Sequence, residues 1–385
     1  MKNVIVLLSL GSVLFAGAAE VYVDRWSGSD VNNGAAATPV ATLARGVSLL
    51  AAGDTLVLIA GPEPYYEALN LGGCSGSAKT PIVVEGNGAT LSGLVAMPAT
   101  EWTIQADGTY WHPHAKAGAL QPYLMDGERM LDKAIFGSLT PDSHCWTISG
   151  VWLRPAEGKT ITDYQLLGAI RSSGVLINHG SYITIRNLIC ERFANDGFNV
   201  HGGSRGLVFK NIVGRDNGDD GFSIHEDVEA IVYGGHFHRN NYGIQDVNAS
   251  QSVFHGVLVE SNRVAGVDFY GGYHSVFDSV VRNNGNSQIG VVANSAAHIG
   301  FAADNPLSKG LVFVKNTEIY GGNTGVKVGS DSRLVMNICT LRDLVVGLEV
   351  ASGGICHAVT TTIENCSDVT VRQAAGGIVV WPGMP

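Results

Sequence analysis

The chain has 385 residues, a formal net charge of -10, 15% charged residues and 50 glycines. A hydrophobic fraction of 45% excludes a disordered chain, and the length allows one large or two ordinary domains. The negative charge argues against nucleic acid as a partner. Many glycines together with many β-branched residues predict short strands joined by tight turns.

The first residues predict a secretory signal peptide at residues 1–19. Lys2 provides a positive start, an apolar run follows from Val4 to Phe15, and small residues precede the expected cleavage site. The run is too short to span a membrane. We therefore expect residues 20–385 to form a single secreted or periplasmic domain that has no membrane span and is monomeric. Six cysteines permit disulfides in such a protein. Cys339, Cys356 and Cys366 lie close enough in sequence for one local bridge.

A short helix is expected near the start of the mature chain. Val40, Leu43, Val47 and Leu50 recur at helical spacing. Such an amphipathic helix would cover the open end of a stack of strands.

The region from about 101 to 171 has a different pattern from the rest of the chain. It contains four tryptophans and lacks the repeat described below. We expect it to form a small β insertion, whose tryptophans form its own core or stack on sugar rings.

A glycine that opens a short apolar strand recurs after residue 195. It occurs at Gly197, Gly221, Gly243, Gly266, Gly290, Gly325 and Gly347. The intervals are close to 23 residues except for one long interval, where we expect an inserted loop at 294–310. A period of this length, with two or three strands in each repeat, indicates one coil of a parallel β-helix. Asparagines recur shortly before these glycines, and we expect most of them to be turn residues that stack between coils: Asn195, Asn217, Asn240, Asn241, Asn262, Asn284 and Asn323.

Three stretches carry a resemblance to a known superfamily: YVDRWSGSDVNNG (22–34), AGDTLVLIAG (52–61) and KTPIVVEGNGATLSG (79–93). They resemble the opening of secreted pectate-lyase-like β-helix proteins. The resemblance implies an all-β fold, a right-handed parallel β-helix. The superfamily includes lyases, hydrolases, epimerases and adhesins, so the resemblance implies a polysaccharide partner but no single activity. The region 101–171 resembles the β insertion of some β-helix glycoside hydrolases.

Strand alternation separates core positions from outward positions in each repeat. The first and third residues after the glycine are mostly apolar and are expected to face the core. Asp246 is an exception, because it occupies an inward column. The second and fourth residues are expected to face outward, in two columns: Asn199, Ser223, Gln245, Asp268, Val292, Lys327 and Glu349, and His201, His225, Val247, Tyr270, Asn294, Gly329 and Ala351.

Carboxylates precede the glycine in two adjacent coils. The segments NDGFNV (195–200) and DDGFSI (219–224) resemble the paired aspartate motifs of polygalacturonases. That resemblance implies that Asp196 and Asp220 activate water and that Asp219 is the acid. The later His-Gly and Arg-Lys motifs of that family have no clear counterpart here. The same aspartates could also be turn residues without a catalytic role.

A second chemistry fits the same face. Uronate lyases and C5-epimerases need an acid, a base and a group that neutralises the substrate carboxylate. The acid and base candidates are His201, His225 and Tyr270. The substrate-binding candidates are Asn199, Gln245, Asp268, Glu226, Arg215, Arg239 and Arg263.

Two further alternatives remain open at this point. A calcium ion could bind among Asp216, Asp219, Asp220, Glu226 and Asp227, although no fixed-spacing calcium loop is present, and we expect no other cofactor. The protein could also be a non-catalytic polysaccharide-binding or adhesion module. The concentration of polar outward residues in the first coils favours an enzyme, with hydrolysis slightly favoured over elimination.

Overall fold

A computed structural model describes residues 18–114, 120–293 and 309–381. Most of the expected signal peptide and of the loop expected at 294–310 lies outside these described residues. None of the helices in the described ranges is long and apolar enough to cross a membrane.

Nearly all regular structure is strand. The first part contains β1 (Glu20–Val23), α1 (Leu43–Ser48), β2 (Thr55–Leu58), β3 (Leu69–Asn70), β4 (Ile82–Glu85) and β5 (Thr90–Ser92). A second group contains β6 (Leu94–Ala96), β7 (Thr103–Ile104), β8 (Tyr110–His112), β9 (Tyr123–Asp126), β10 (Arg129–Met130), β11 (Asp132–Lys133), β12 (Ser143–Thr147), β13 (Gly150–Arg154) and β14 (Leu166–Ala169), with 3-10 turns at Ala99–Glu101 and Ile161–Asp163. The coils then continue through β15 (Val175–Asn178), β16 (Ile183–Arg186), β17 (Ile189–Glu191), β18 (Phe198–His201), β19 (Leu207–Arg215), β20 (Asp220–Ile224), β21 (Glu229–His238), β22 (Tyr242–Glu260), β23 (Ala265–Phe277), β24 (Val280–Arg282) and β25 (Ser287–Val292). The last strands are β26 (Leu311–Lys315), β27 (Glu318–Tyr320), β28 (Thr324–Val328), β29 (Arg333–Asn337), β30 (Thr340–Val350), β31 (Ile355–Val359), β32 (Thr362–Gln373) and β33 (Ile378–Val380).

The coils stack as parallel strands, as the repeat predicts. One column of aligned residues runs through successive coils: Phe198, Phe222, Ile244, Val267, Ile289, Val326 and Leu348. Every member of this column is completely buried. This aligned column therefore forms a continuous apolar core, and the chain is a parallel β-helix.

The predicted register is wrong in one coil. Gly290 does not open the strand of its coil, because the structure aligns it with Asp268, two positions further on. Gln288 takes the opening position instead. The outward columns therefore contain Gly290 next to Asp268 and Val292 next to Tyr270, not Val292 and Asn294.

The predicted helix is present and packs on the first coil. It is α1, and Leu43 is completely buried in the core cluster while Val47 and Leu50 pack against it. Thr42 caps its first turn by accepting a hydrogen bond from the Arg45 backbone nitrogen at 3.1 Å.

Four asparagines form a buried ladder along one turn of the helix. The Asn217 side-chain nitrogen donates to Oδ1 of Asn240 at 3.0 Å, and Asn240 donates in the same way to Asn262 at 3.2 Å. Asn262 then donates to Asn284 at 2.8 Å. The stacking prediction is confirmed for these four residues, whereas Asn323 is exposed.

The chain from β6 to β14 forms two small antiparallel sheets beside the coils. Their strand orders are β10-β9-β14-β6 and β11-β12-β13-β8-β7. We call this region the β insertion. It has its own core, in which Trp102, Leu124, Val151 and Leu153 are buried.

The predicted local disulfide is not formed. Cys339, Cys356 and Cys366 are all unbridged, and the first two are buried. Their side chains act as small apolar residues of the core.

Candidate functional site

Three aspartates come together where two adjacent coils turn into β18 and β20. Carboxylate oxygens of Asp196, Asp219 and Asp220 all lie within 4.8 Å of one another. The parallel register explains this, because Asp196 and Asp220 occupy equivalent positions in adjacent coils. The repeat interval predicted this grouping. We call these three residues the aspartate cluster.

Amide groups hold Asp196 in place. One carboxylate oxygen accepts from the side-chain nitrogens of Asn195, at 2.8 Å, and Asn199. The other accepts from the Asp220 backbone nitrogen at 3.1 Å. Oδ1 of Asp220, in contrast, is buried without a hydrogen-bond partner among the described residues. The cluster therefore presents one held carboxylate and one carboxylate with an unused oxygen.

Burial raises the pKa values of all three carboxyl groups, and repulsion between the aspartates adds to this effect for Asp196 and Asp220. Desolvation, followed by the charge of Asp219, raises the pKa of Asp196 to about 7. Desolvation and the charges of Asp196 and Asp219 raise the pKa of Asp220 well above its ordinary value. Desolvation also raises the pKa of Asp219. This rise is smaller than that of Asp196 or Asp220, because the Asp219 side chain is only half-buried. Close carboxylates of this kind hold protons and negative charge together near neutral pH.

The β insertion covers one side of the cluster. The Tyr123 hydroxyl donates to the Asp216 carbonyl, and the Gln121 backbone nitrogen donates to the Ala194 carbonyl at 2.7 Å. Lys133 of the insertion contributes a positive charge that lowers the pKa of Asp219, against the larger effect of desolvation. Lys133 was not a predicted site residue, because nothing in the repeat predicts where the insertion packs.

The two predicted histidines lie on adjacent coils of the same face. The rings of His201 and His225 stack with a centroid distance of 4.1 Å and an interplanar angle of 10°. Nδ1 of His201 lies 3.1 Å from the carboxylate of Glu226, and Nε2 of His225 lies 3.1 Å from Oγ of Ser223. Both rings are therefore oriented by side-chain contacts within the two coils.

A groove continues from the cluster along the outward side of the later coils. Its volume is about 500 Å³. Residues at its base follow Asp220 in the same aligned column, beginning with Tyr242 and Ala265. Its polar lining includes Asp268, Lys327 and other residues of the neighbouring columns: Tyr270, Asn286, Asn323, Glu349 and Arg372. Tyr242 and Arg372 were not among the predicted site residues, although the predicted register already aligns Tyr242, directly before Gly243, with Asp220 and would have indicated it.

Asp268 forms the floor of this groove. Desolvation raises its pKa to about 7, while Lys327 and a hydrogen bond with Tyr270 act in the opposite direction. The same burial and the charge of Asp268 raise the pKa of Tyr270. Gly290 lies beneath the carboxylate, and a Cβ atom there would lie 2.0 Å from Oδ1 of Asp268. The lack of a side chain at Gly290 therefore makes room for the Asp268 carboxylate.

The three predicted substrate-binding arginines form contacts within the protein. Arg215 pairs with Glu191 at 2.6 Å, and Arg239 pairs with Asp216 through two hydrogen bonds of 2.6 and 2.7 Å. Arg263 donates to Oδ1 of Asn241 at 2.9 Å and to backbone carbonyls. None of the three is among the residues that line the groove. These guanidinium groups join adjacent coils.

The predicted calcium ligands do not come together as one set. Asp216 pairs with Arg239 at 2.6 Å, Asp227 pairs with Arg205 at 3.1 Å, and Glu226 contacts His201. Among the described residues, the acidic group close enough to share an ion is the aspartate cluster. Its carboxylate oxygens, including the unpartnered Oδ1 of Asp220, are hard ligands of the type that calcium prefers. Gln245, another predicted binding residue, lies between Ser223 and Asp268 in the outward column.

Asp246 is completely buried in its inward column, where a network of polar groups satisfies its carboxyl oxygens. Its Oδ1 accepts from the Ile224 backbone nitrogen at 3.2 Å, and its Oδ2 lies 2.6 Å from Oγ of Ser252. Oγ of Ser252 in turn lies 2.8 Å from Nδ1 of His274. The register shifts shortly afterwards, between Asn248 and residue 251. Asp246 therefore stabilises a corner of the coil inside the core, away from the groove.

Comparisons with known proteins agree with this architecture. A family model described as a right handed beta helix region matches residues 173–306. The solved structure of the pectate lyase Pel9A superimposes with a TM-score of 0.53 at 14% identity, covering 92% of this chain and 79% of that chain. The structure of XylC with xylose gives a TM-score of 0.56 at 11% identity, covering 88% of this chain and 69% of that chain. No curated protein matches the sequence.

Proposed function

We propose that this chain, which has a right-handed parallel β-helix fold, is an exported carbohydrate-active enzyme that hydrolyses glycosidic bonds of a polysaccharide. The observation that carries this proposal is the aspartate cluster, three carboxylates within 4.8 Å at one end of a polar groove. Pel9A is described as a pectate lyase, and XylC is described with bound xylose. A saccharide partner is therefore consistent with the fold.

Glycoside hydrolysis needs one carboxylic acid that protonates the leaving oxygen and one carboxylate that activates water or attacks the sugar. Asp219 suits the acid role by position, because it is the most exposed member of the cluster and can pass on a proton that the coupled carboxyl groups share. Asp196 and Asp220 suit the second role, because they are held beside it and share negative charge. The coupled cluster then contains both a proton donor and a carboxylate at the same pH.

The groove accounts for the binding of a polymer. It extends over several coils beyond the cluster and combines two tyrosines, Tyr242 and Tyr270, with charged side chains. Aromatic faces and convergent polar groups are the usual lining of saccharide and other ligand sites. Asp268, Lys327 and Arg372 would contact sugar units on one side of the cleaved bond.

A second candidate is elimination from a uronate, and one observation favours it. The unpartnered oxygen of Asp220 within the cluster suits a calcium ion, which would neutralise a substrate carboxylate. In that case His201, His225 or Tyr270 would act as acid or base. A calcium ion in the cluster would also lower the pKa values of its three carboxylates.

Product analysis separates the two candidates. The protein is incubated with neutral and uronic-acid polysaccharides, with and without a chelator, while reducing ends and the absorbance of unsaturated products are followed. Hydrolysis produces reducing ends without absorbance, and removal of calcium does not affect it. Absorbance that rises with the reducing ends and disappears with the chelator would instead favour elimination. If neither reducing ends nor absorbance appear on a broad panel of polysaccharides, both candidate functions are contradicted.

A further inference from the structure

The β insertion carries aromatic side chains on the face opposite its core. Trp111 and Trp152 are partners in adjacent strands β8 and β13, and their ring centroids lie 6.4 Å apart. The neighbouring positions Val151 and Leu153 point the other way and are completely buried. Trp111 and Trp152, in contrast, are only partly buried. This face therefore presents an aromatic surface that the insertion's own core does not use.

A loop residue extends this surface and encloses a small pocket. The Phe136 ring packs edge-on against Trp152 with a centroid distance of 5.2 Å, although 57% of Phe136 remains exposed. The adjacent Ile135 is 79% exposed. The pocket between Phe136 and Trp152 has a volume of about 140 Å³. Exposed apolar side chains gathered around a pocket are typical of a binding surface.

Polar groups converge on the same pocket. The guanidinium of Arg154 lies 3.6 Å from Oδ2 of Asp107, and both residues line it. Oδ1 of Asp107 is oriented by hydrogen bonds from the backbone and hydroxyl of Thr109. The Arg154 and Asp107 side chains are 36% and 62% exposed, so both charged groups are open to a ligand in the pocket.

From this arrangement we infer a second saccharide-binding site, built from Phe136, Trp152, Asp107 and Arg154 and separate from the groove. The C–H face of a sugar ring packs on the two aromatic rings. Its hydroxyl groups accept from the terminal guanidinium nitrogens of Arg154 and donate to the Asp107 carboxylate. A volume of about 140 Å³ suits a single sugar unit, because pockets for drug-sized ligands begin at about 300 Å³.

The site would hold a polysaccharide near the enzyme without taking part in cleavage. None of its lining residues lines the groove or belongs to the aspartate cluster. The inference rests on the proposed function only for the identity of the polymer, since binding at this site needs no catalysis. Loss of the site should therefore weaken retention on a polymer and leave the cleavage of short soluble substrates unchanged.

Affinity electrophoresis tests the inference. Full-length protein is run through gels that contain xylan, polygalacturonate or a neutral β-glucan, together with the variants Phe136→Ala and Trp152→Ala. The matched control is Ile148→Ala, because Ile148 is 90% exposed on the same insertion and lies outside the pocket. Circular dichroism checks the fold, and the exposed position of Phe136 keeps the test valid if Trp152→Ala does not fold.

We expect one of these gels to retard the wild type and Ile148→Ala equally. Phe136→Ala should bind the same polymer about tenfold more weakly, since the loss of an aromatic contact is worth about one factor of ten. Cleavage of short oligosaccharides by this variant should stay within about twofold of the wild type. Equal retardation of Phe136→Ala and the wild type, or no retardation in any gel, would overturn the inference. A protein that binds through Phe136 but cleaves nothing would leave this site intact and contradict the proposed function instead.

Discussion

The buried network of Asp246, Ser252 and His274 makes a sharp prediction about stability. Nε2 of His274 lies 3.0 Å from the Gly271 carbonyl oxygen, so this nitrogen must carry a hydrogen. In a neutral ring, Nδ1 then accepts the single hydrogen of Ser252. Oγ of Ser252 can therefore only accept from Asp246, which must be protonated. Desolvation supports this neutral form, since it raises the pKa of Asp246 to about 7 and lowers that of His274 to about 3.

The sign of the pH dependence follows from this raised pKa. The folded state holds the Asp246 proton more tightly than the unfolded chain, where the pKa is about 3.8. The resulting stabilisation is fully present below about pH 4 and is lost as the pH rises to about 7. The difference between the two pKa values is worth about 4 kcal/mol. For a chain of 385 residues this corresponds to roughly 5 °C in Tm.

Asp246→Asn isolates this contribution. The amide nitrogen donates to Ser252 and the amide oxygen accepts from Ile224, so the network keeps its hydrogen bonds without a titrating group. Between pH 4 and pH 8, the Tm of the variant should rise by roughly 5 °C relative to that of the wild type. Differential scanning calorimetry across this range measures the difference.

The control is Ser252→Ala, which removes the hydroxyl that joins Asp246 to His274. It should lower the unfolding free energy by roughly 1–3 kcal/mol. An Asp246→Asn variant that is destabilised by several kcal/mol at every pH would refute the reasoning, because it would show a buried ion pair between Asp246 and His274.

Three further predictions concern the site and the coil. For the wild type, kcat/KM should fall as the pH rises through the raised pKa values of the aspartate cluster, because the cluster loses the proton that Asp219 passes to the leaving oxygen. A plateau above pH 8 would contradict this role. Gly290→Ala should displace Asp268 and lower kcat/KM at least about tenfold while Tm changes little. Unchanged kinetics would show that Asp268 does not contact the substrate. Asn262→Ala should destabilise the protein by about 3 kcal/mol in urea titrations, because it leaves buried donors of Asn240 unpartnered. Asn323→Ala, at an exposed position, serves as its control and should have an effect below about 0.5 kcal/mol.

Much of the fold could be predicted because each coil repeats one local pattern. Alternation of apolar and polar residues identifies the inward columns, and the structure buries residues such as Phe222 and Val267 completely. The pattern failed at Gly290, because this glycine leaves room for the Asp268 carboxylate and does not open a strand. One glycine has the same appearance in both roles, and only the pairing of neighbouring coils distinguishes them.

The candidate site could be predicted in part for the same reason. Stacking brings Asp196 next to Asp220, and the repeat interval contains that information. The partners of Arg215 and Arg239 could not be predicted, since both pair with acidic residues of an adjacent coil, Glu191 and Asp216, that the glycine register does not place. The contribution of Lys133 depends on how the β insertion packs, and a repeat pattern contains no information about an inserted segment.

The variant Asp219→Asn tests most directly whether the aspartate cluster hydrolyses glycosidic bonds. On the polysaccharide identified by product analysis, Asp219→Asn should lower kcat by about 10²–10⁴-fold, because the amide cannot protonate the leaving oxygen. Asp278→Asn is the matched control, since Asp278 is an exposed aspartate that contacts His255 and lies outside the cluster. The account predicts that the control keeps wild-type turnover and that both variants keep the wild-type circular dichroism spectrum. Turnover of folded Asp219→Asn within about twofold of the wild type would contradict the account.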